Sequence, residues 1–185
     1  MKTNLILTTV TAFAVIAASS LNIRAAETNS TSARIGIYDS RAVAYAWFWS
    51  GEHQKELYEM MQSARAAKTN GDTNRFAELS AALNRHQDEM HREVFSIAPA
   101  TEALAELKTR LPEIQKSAGV SDLVSKWDEA ALKKYSAAEK VDVTDTLVRE
   151  FIAPTAEQQK TLSEMEKVKP LPLDECNELI RKNEI

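Results

Sequence analysis

One cysteine, four glycines and five prolines in 185 residues is a short supply of the side chains that staple, bend or break a chain. The single Cys176 cannot form an internal disulfide, and it stands too far along the chain to carry lipid beside a leader. Scarce glycine and proline leave long helices uninterrupted. Basic residues are in deficit too, 23 against 27 acidic, so no basic patch is at hand to neutralise phosphates and nucleic acid is not an expected partner. Catalytic signatures are missing: there is no HExxH, no Gly-rich phosphate loop and no nucleophile elbow. His86 and His91 are five apart, about 140° around a helix, and do not converge on a metal ion. Asp142 and Asp145 suit turn and cap chemistry better than paired-carboxylate catalysis. No cofactor, no metal and no enzyme activity are expected.

What is present begins with a leader. Lys2 precedes an apolar run from Leu5 to Ala18, and small residues follow at Ser19, Ser20, Ala25 and Ala26. The run is too short to span a bilayer, so residues 1–26 read as a cleaved secretory signal, and 27–33 as a polar, disordered lead-in. Loss of Lys2 and Arg24 with the signal takes the formal charge from -4 to -6. The expected location is therefore outside the cytoplasm, with membrane proximity left open.

The stretch 41–97 reads as two long helices folded back at Asn70-Gly71. Val43, Trp47, Ser50, Gln54, Leu57, Met61 and Ala64 recur at steps of three and four, and Phe76, Leu79, Leu83, His86, Met90 and Ile97 nearly do the same. That is a narrow coiled-coil seam. Folding about the turn sets Gln54 near His86 or Gln87, and His86 is expected to form a polar layer there that fixes register. Tyr45, Trp47, Phe48 and Trp49 point to several faces of the first helix, more aromatic surface than one seam covers. With Ile35, Ile37, Leu123 and Trp127 they are expected to form the base of the arm, against the strand layer or a neighbouring subunit. Tyr58, Met60 and Met61 are the candidate residues for shallow, adaptable apolar binding.

Around the arm, Ile35-Gly36-Ile37-Tyr38 predicts a strand ended by the helix-capping residues Asp39-Ser40, and 102–117 predicts a third helix bent at Pro112 and closed by Gly119. Strand candidates follow at 120–127 and 141–143, with Thr144 as N-cap of the next helix. The tail 154–185 reads as an appendage, either docked or frayed: a capping box at Thr155 and Gln158, a stiff Lys169-Pro170-Leu171-Pro172 linker, and a last helix capped by Asp174 with Cys176, Leu179 and Ile180 on one side. The fold class is α+β and mostly helical, a long antiparallel helical arm on a small three-strand body.

Two regions carry a family resemblance, one at the start and one, in two stretches, toward the end. Arg34-Ile35-Gly36-Ile37-Tyr38-Asp39-Ser40-Arg41-Ala42-Val43 resembles the first strand and helix start of the Skp, or OmpH-like, periplasmic chaperones. Ala118-Gly119-Val120-Ser121-Asp122-Leu123-Val124 and Val141-Asp142-Val143-Thr144-Asp145-Thr146-Leu147-Val148 are similar to the family's later strands and last helix start. The likeness spans residues 34–153 and omits the tail. It implies a periplasmic homotrimer whose arms surround a cavity and hold unfolded outer-membrane or other secreted proteins without ATP. The best-known members are strongly basic, whereas this chain is acidic. The second expectation is of another class, a cell-envelope adaptor that binds one specific partner through arms or tail.

Overall fold

The computed structural model describes residues 33–185. The expected signal peptide, 1–26, and nearly all of the expected lead-in, 27–33, lie outside the described residues. The rest is mostly helical around a small sheet, with β1 (Arg34–Tyr38) at its centre. On either side run β2 (Asp122–Ser125) and β3 (Glu139–Asp142), both parallel to β1, in the order β2-β1-β3. Gly36 makes this closeness feasible: a Cβ there would sit 2.7 Å from Leu123 Cδ2 and 3.1 Å from Val143 Cγ2. The second strand is shorter than the sequence predicts, and the third starts two residues earlier.

Asp39 ends β1 and caps α1 (Ser40–Phe48), its Oδ1 accepting the Arg41 N–H at 3.1 Å. Helix α1 is the hub of the molecule, buried on nearly every side. Contrary to the sequence expectation, it does not run on into the next helix. The chain breaks at Trp49, and Ser50 starts α2 (Gly51–Thr69) by accepting the His53 N–H at 3.2 Å. A serine that competes for backbone donors beside a glycine of poor helix propensity accounts for the break. Its consequence is a shift of phase. The inward row of α2 is His53, Leu57, Met60, Ala64 and Ala67, not the Gln54, Leu57, Met61, Ala64 series of an unbroken helix. Asn70–Asp72 turns the chain, with Gly71 at φ 73, and Asp72 caps α3 (Thr73–Phe95). Along α3 the inward row is Phe76, Leu79, Leu83, His86, Met90 and Glu93, close to the predicted seam. α2 and α3 pack on each other.

The single third helix of the sequence reading is two, α4 (Thr101–Glu106) and α5 (Leu111–Ala118). Pro112 sits in the first turn of α5, where its missing N–H costs nothing, and bends no continuous helix. Gly119 closes α5 at φ 66, as expected. After β2 comes α6 (Glu129–Lys134), capped by Asp128, and after β3 comes α7 (Thr144–Arg149). Thr144 is not the cap of α7. That place falls to Val143, which has no side-chain cap bond. The Thr144 hydroxyl instead accepts the Asp39 N–H at 3.0 Å, while Asp142 Oδ1 accepts the Thr144 N–H at 2.8 Å. The end of β1 has a donor to satisfy, and the threonine at the end of β3 satisfies it.

Tyr38, Val43, Phe48, Leu107, Ile114, Val143 and Leu147 form the main core, joining the sheet to α1, α4, α5 and α7. Much of the expected oligomer base is consumed here. Ile35 and Phe48 are buried within the chain, and Ile37, Tyr45, Trp47, Leu123 and Trp127 are half-buried. Only Trp49, 52% exposed and stacked on Tyr45 at 5.7 Å, is left open. The aromatic surface that outgrew one seam is covered largely by the chain's own helices.

The tail is docked. Helix α8 (Ala156–Lys167) begins with the capping box of Thr155 and Gln158, and Leu162 packs on Ala42, Ala46 and Val148. The linker residue Leu171 then exchanges hydrogen bonds with Phe95 C=O (2.9 Å) and Ile97 N–H (3.0 Å). Helix α9 (Leu173–Lys182) has no side-chain cap from Asp174 and packs on α3, with Cys176 fully buried between them. No described helix is long and apolar enough to cross a membrane.

Candidate functional site

Beyond its first turn α2 buries one row of side chains, and its other faces are open. Tyr58 is 61% exposed and Met61 39% exposed, three residues apart and so on one helical face. Met60 belongs to the inward row and is half-buried. Of the three candidate binding residues the structure thus places Tyr58 and Met61 together and turns Met60 toward α3. Nearby polar positions are tied to each other, as in the exposed Lys55–Glu59 pair at 3.9 Å.

At the foot of this surface α1, α2 and α3 meet on a pair of imidazoles. His53 Nε2 lies 3.0 Å from His86 Nε2, with Trp47 4.1 Å from the His53 ring and Phe48 5.2 and 5.5 Å from the two rings. One nitrogen must donate and the other accept, which holds when both rings are neutral. Burial, and then the charge His86 would carry, pushes His53 down to about 4; burial also lowers His86, against a raising influence from Glu102. His86 is therefore a polar layer as the spacing predicts, but its partner is His53. Gln54 instead donates through Nε2 to Phe48 C=O at 2.6 Å, closing α1. The signal for the true partner is Ser50-Gly51-Glu52-His53, a capped helix start that resets the phase.

Two turns along α3 from His86, Glu93 is buried, its Oε1 accepting the Thr101 N–H at 2.9 Å. Burial, with help from Glu89 and Glu102, outweighs that bond and pushes Glu93 up to about 7. The two buried acid–base sites oppose each other. As pH falls from 6.5 toward 4, the unfolded chain takes up a proton that folded His53 refuses, so stability drops by about 1.4 kcal/mol per unit. Between 4.5 and 7 folded Glu93 keeps a proton that the unfolded chain has lost, so stability drops as pH rises. The lowered His86 acts in the same direction as His53, and Glu93 opposes both. Glu93→Gln removes the opposing slope, so on acidification from pH 6.5 to 4.5 its urea midpoint should fall by the equivalent of about 2–3 kcal/mol more than that of the wild type. Equal profiles would contradict this assignment.

A third polar cluster closes the carboxyl end of the sheet. Asp39 is buried and receives Arg41 Nε (3.2 Å), Arg41 Nη2 (3.0 Å), Trp127 Nε1 (2.8 Å) and Lys126 Nζ (2.9 Å). Burial alone would raise Asp39, but these bonds hold it below the usual carboxylate range. Arg41 spends its other donors on the Met165 and Val168 carbonyls, 2.9 Å each, and its guanidinium lies 4.9 Å from the Trp127 ring centre. The surplus positive charge of Arg41 and Lys126 is thus set against the carbonyl end of α8, where the helix dipole favours it. The sequence marked Asp39 only as a cap. No pattern joins it to Lys126 or to the tail, since the partners lie 87 and more positions away.

Comparison with protein-family models, curated proteins and solved structures returned no match. The family likeness rests on the two sequence regions, and the chemistry has to be judged from the geometry. Among the described residues no three His, Cys, Asp or Glu side chains converge as a metal site would require. The Asp39 carboxylate has its acceptor capacity filled by the chain itself. Large apolar side chains that stay open to a partner are Tyr58 and Met61 on α2, Trp49 beside it, and Phe95, Ile97 and Val168 elsewhere.

Proposed function

We propose that the chain is an ATP-independent holdase, with α2 and α3 forming an antiparallel two-helix arm that holds unfolded outer-membrane or other secreted proteins in the periplasm, in the manner of the Skp-like family. The observation that carries this reading is the open face of α2, where an aromatic and a methionine stand exposed beside a seam that is already filled. A large exposed apolar side chain that its own fold does not need is surface offered to something else. Tyrosine supplies contact area, and methionine adapts to sequences of varied shape. Contacts of this kind are individually weak, so several arms acting together give useful retention, and a homotrimer is the assembly proposed. Exposed Trp49 at the arm root is the residue available for contact between copies.

The alternative is an adaptor that binds one specific partner through arms or tail, and its tail route has less support, because residues 154–185 are tied to α1 and α3 through Arg41, Leu171 and Cys176. The test is suppression of aggregation of a urea-denatured outer-membrane barrel diluted into buffer. The wild-type chain, freed of its leader, is expected to suppress it at equimolar trimer. Tyr58→Asp combined with Met61→Asp should weaken client affinity about tenfold with an unchanged unfolding midpoint, since both residues are exposed. Absence of suppression by the wild type contradicts the reading.

A further inference from the structure

A groove of about 740 Å³ runs beside β2, walled by Tyr38, Ile97, Pro99, Leu123, Trp127 and Pro170. Strand β2 pairs with β1 on one side only. In a parallel ladder alternate residues turn both backbone groups to the same side. The Lys126 N–H donates to Tyr38 C=O at 2.8 Å, which turns Val124 and Lys126 toward β1 and Leu123 and Ser125 away from it. Ser125 C=O is used by the Asp128 N–H at 3.0 Å. Leu123 N–H, Leu123 C=O and Ser125 N–H are thus turned away from β1, both residues line the groove, and the three groups have no backbone partner among the described residues.

Unpaired groups in this pattern ask for an extended backbone. The opposite edge is guarded differently: β3 reads Glu-Lys-Val-Asp, and Glu139 is paired with Arg34 at 3.1 Å. Charge at the edge of a sheet discourages pairing, and β2 has an apolar centre, Leu123-Val124. The groove's charged residues, Lys126, Lys169, Asp128 and Glu129, sum to zero, which favours neither an anion nor a cation. We propose that the free edge of β2 takes an extended, uncharged, apolar segment of an unfolded client as a fourth strand, with alternate side chains resting on the Ile97, Pro99 and Pro170 wall. This rests on the holdase reading and gives it a second contact, sited on the body and not on the arm.

The probe is a blocked peptide of about seven residues alternating valine and threonine, long enough to cover β2. Amide exchange followed by NMR should show Leu123 and Ser125 slowed about tenfold at saturation, with Val124 and Lys126, already bonded to β1, unchanged. Ile97→Glu places a charge in the wall at a position 41% exposed, and should weaken the peptide about tenfold with an unchanged unfolding midpoint. A peptide that does not bind, or that binds without slowing Leu123 and Ser125, overturns the proposal, and the holdase reading survives if aggregation is still suppressed. If the peptide protects both amides but the wild type suppresses no aggregation, the holdase reading fails and the strand-accepting edge stands.

Discussion

Asp39→Ala is expected to cost about 3–5 kcal/mol of folding stability, far more than the roughly 1 kcal/mol of a lost helix cap. The difference lies in what is left behind. Arg41 and Lys126 both point at this carboxylate, and without it two cations share a site from which water is largely excluded. The Trp127 Nε1–H and the Arg41 N–H lose their acceptor in the same stroke. Asp39→Asn keeps an oxygen for those two donors but not the charge, and should fall between alanine and wild type. The pH dependence has a definite sign. Asp39 titrates below its unfolded value, so its contribution is present at neutral pH and is lost only as pH falls below about 4, through the folded value. Urea midpoints at neutral pH for the three proteins decide the matter. An alanine variant within about 1 kcal/mol of wild type would mean that the cluster is a surface pair of little consequence.

Truncation after Ala153 should be nearly as severe, on the order of 5 kcal/mol, a loss comparable with the whole stability of many domains. The cut removes both carbonyl acceptors of Arg41 and strips Leu162 from Ala42, Ala46 and Val148. It also deletes the Leu171 bonds to Phe95 and Ile97 and bares the face of α3 that covers Cys176. Near-UV circular dichroism of the truncated chain should be weak and its urea transition broad or absent. A sharp transition at the wild-type midpoint would show the tail to be an appendage after all. This bears on how function is assigned: loss of client binding on truncation reports unfolding, so point substitutions on α2 are the sound probes.

The parts that local chemistry decides were legible in the sequence. Asp39, Thr155 with Gln158, and Gly119 each act on neighbours within a few residues, and each does in the fold what its type and position predict. The inward row of α3 was legible for the same reason, because an uninterrupted helix keeps its phase. The row on α2 was not, since one serine cap at Ser50 resets the phase, leaving Leu57 and Ala64 inward but exchanging Gln54 for His53 and Met61 for Met60. The docked tail and the Asp39 cluster were hidden for another reason. Their partners are distant in sequence, and nothing periodic links Arg41 to Met165 or Leu171 to Phe95. The aromatic residues Tyr45 to Trp49 exceed what a narrow seam covers. All but Trp49 are absorbed because α1 is buried nearly all round, a burial that depends on elements distant in the chain.

The arm as the client-binding surface is the central claim, and the lone buried Cys176 makes it directly testable, because a thiol introduced on the surface is then the only accessible one. Tyr58→Cys, Met61→Cys and, as a control on α5, Glu113→Cys would each carry a photoreactive label and be mixed with the denatured barrel. The account predicts crosslinks to the client from positions 58 and 61 and almost none from 113. Crosslinking of equal yield from all three positions, or from 113 alone, would contradict it.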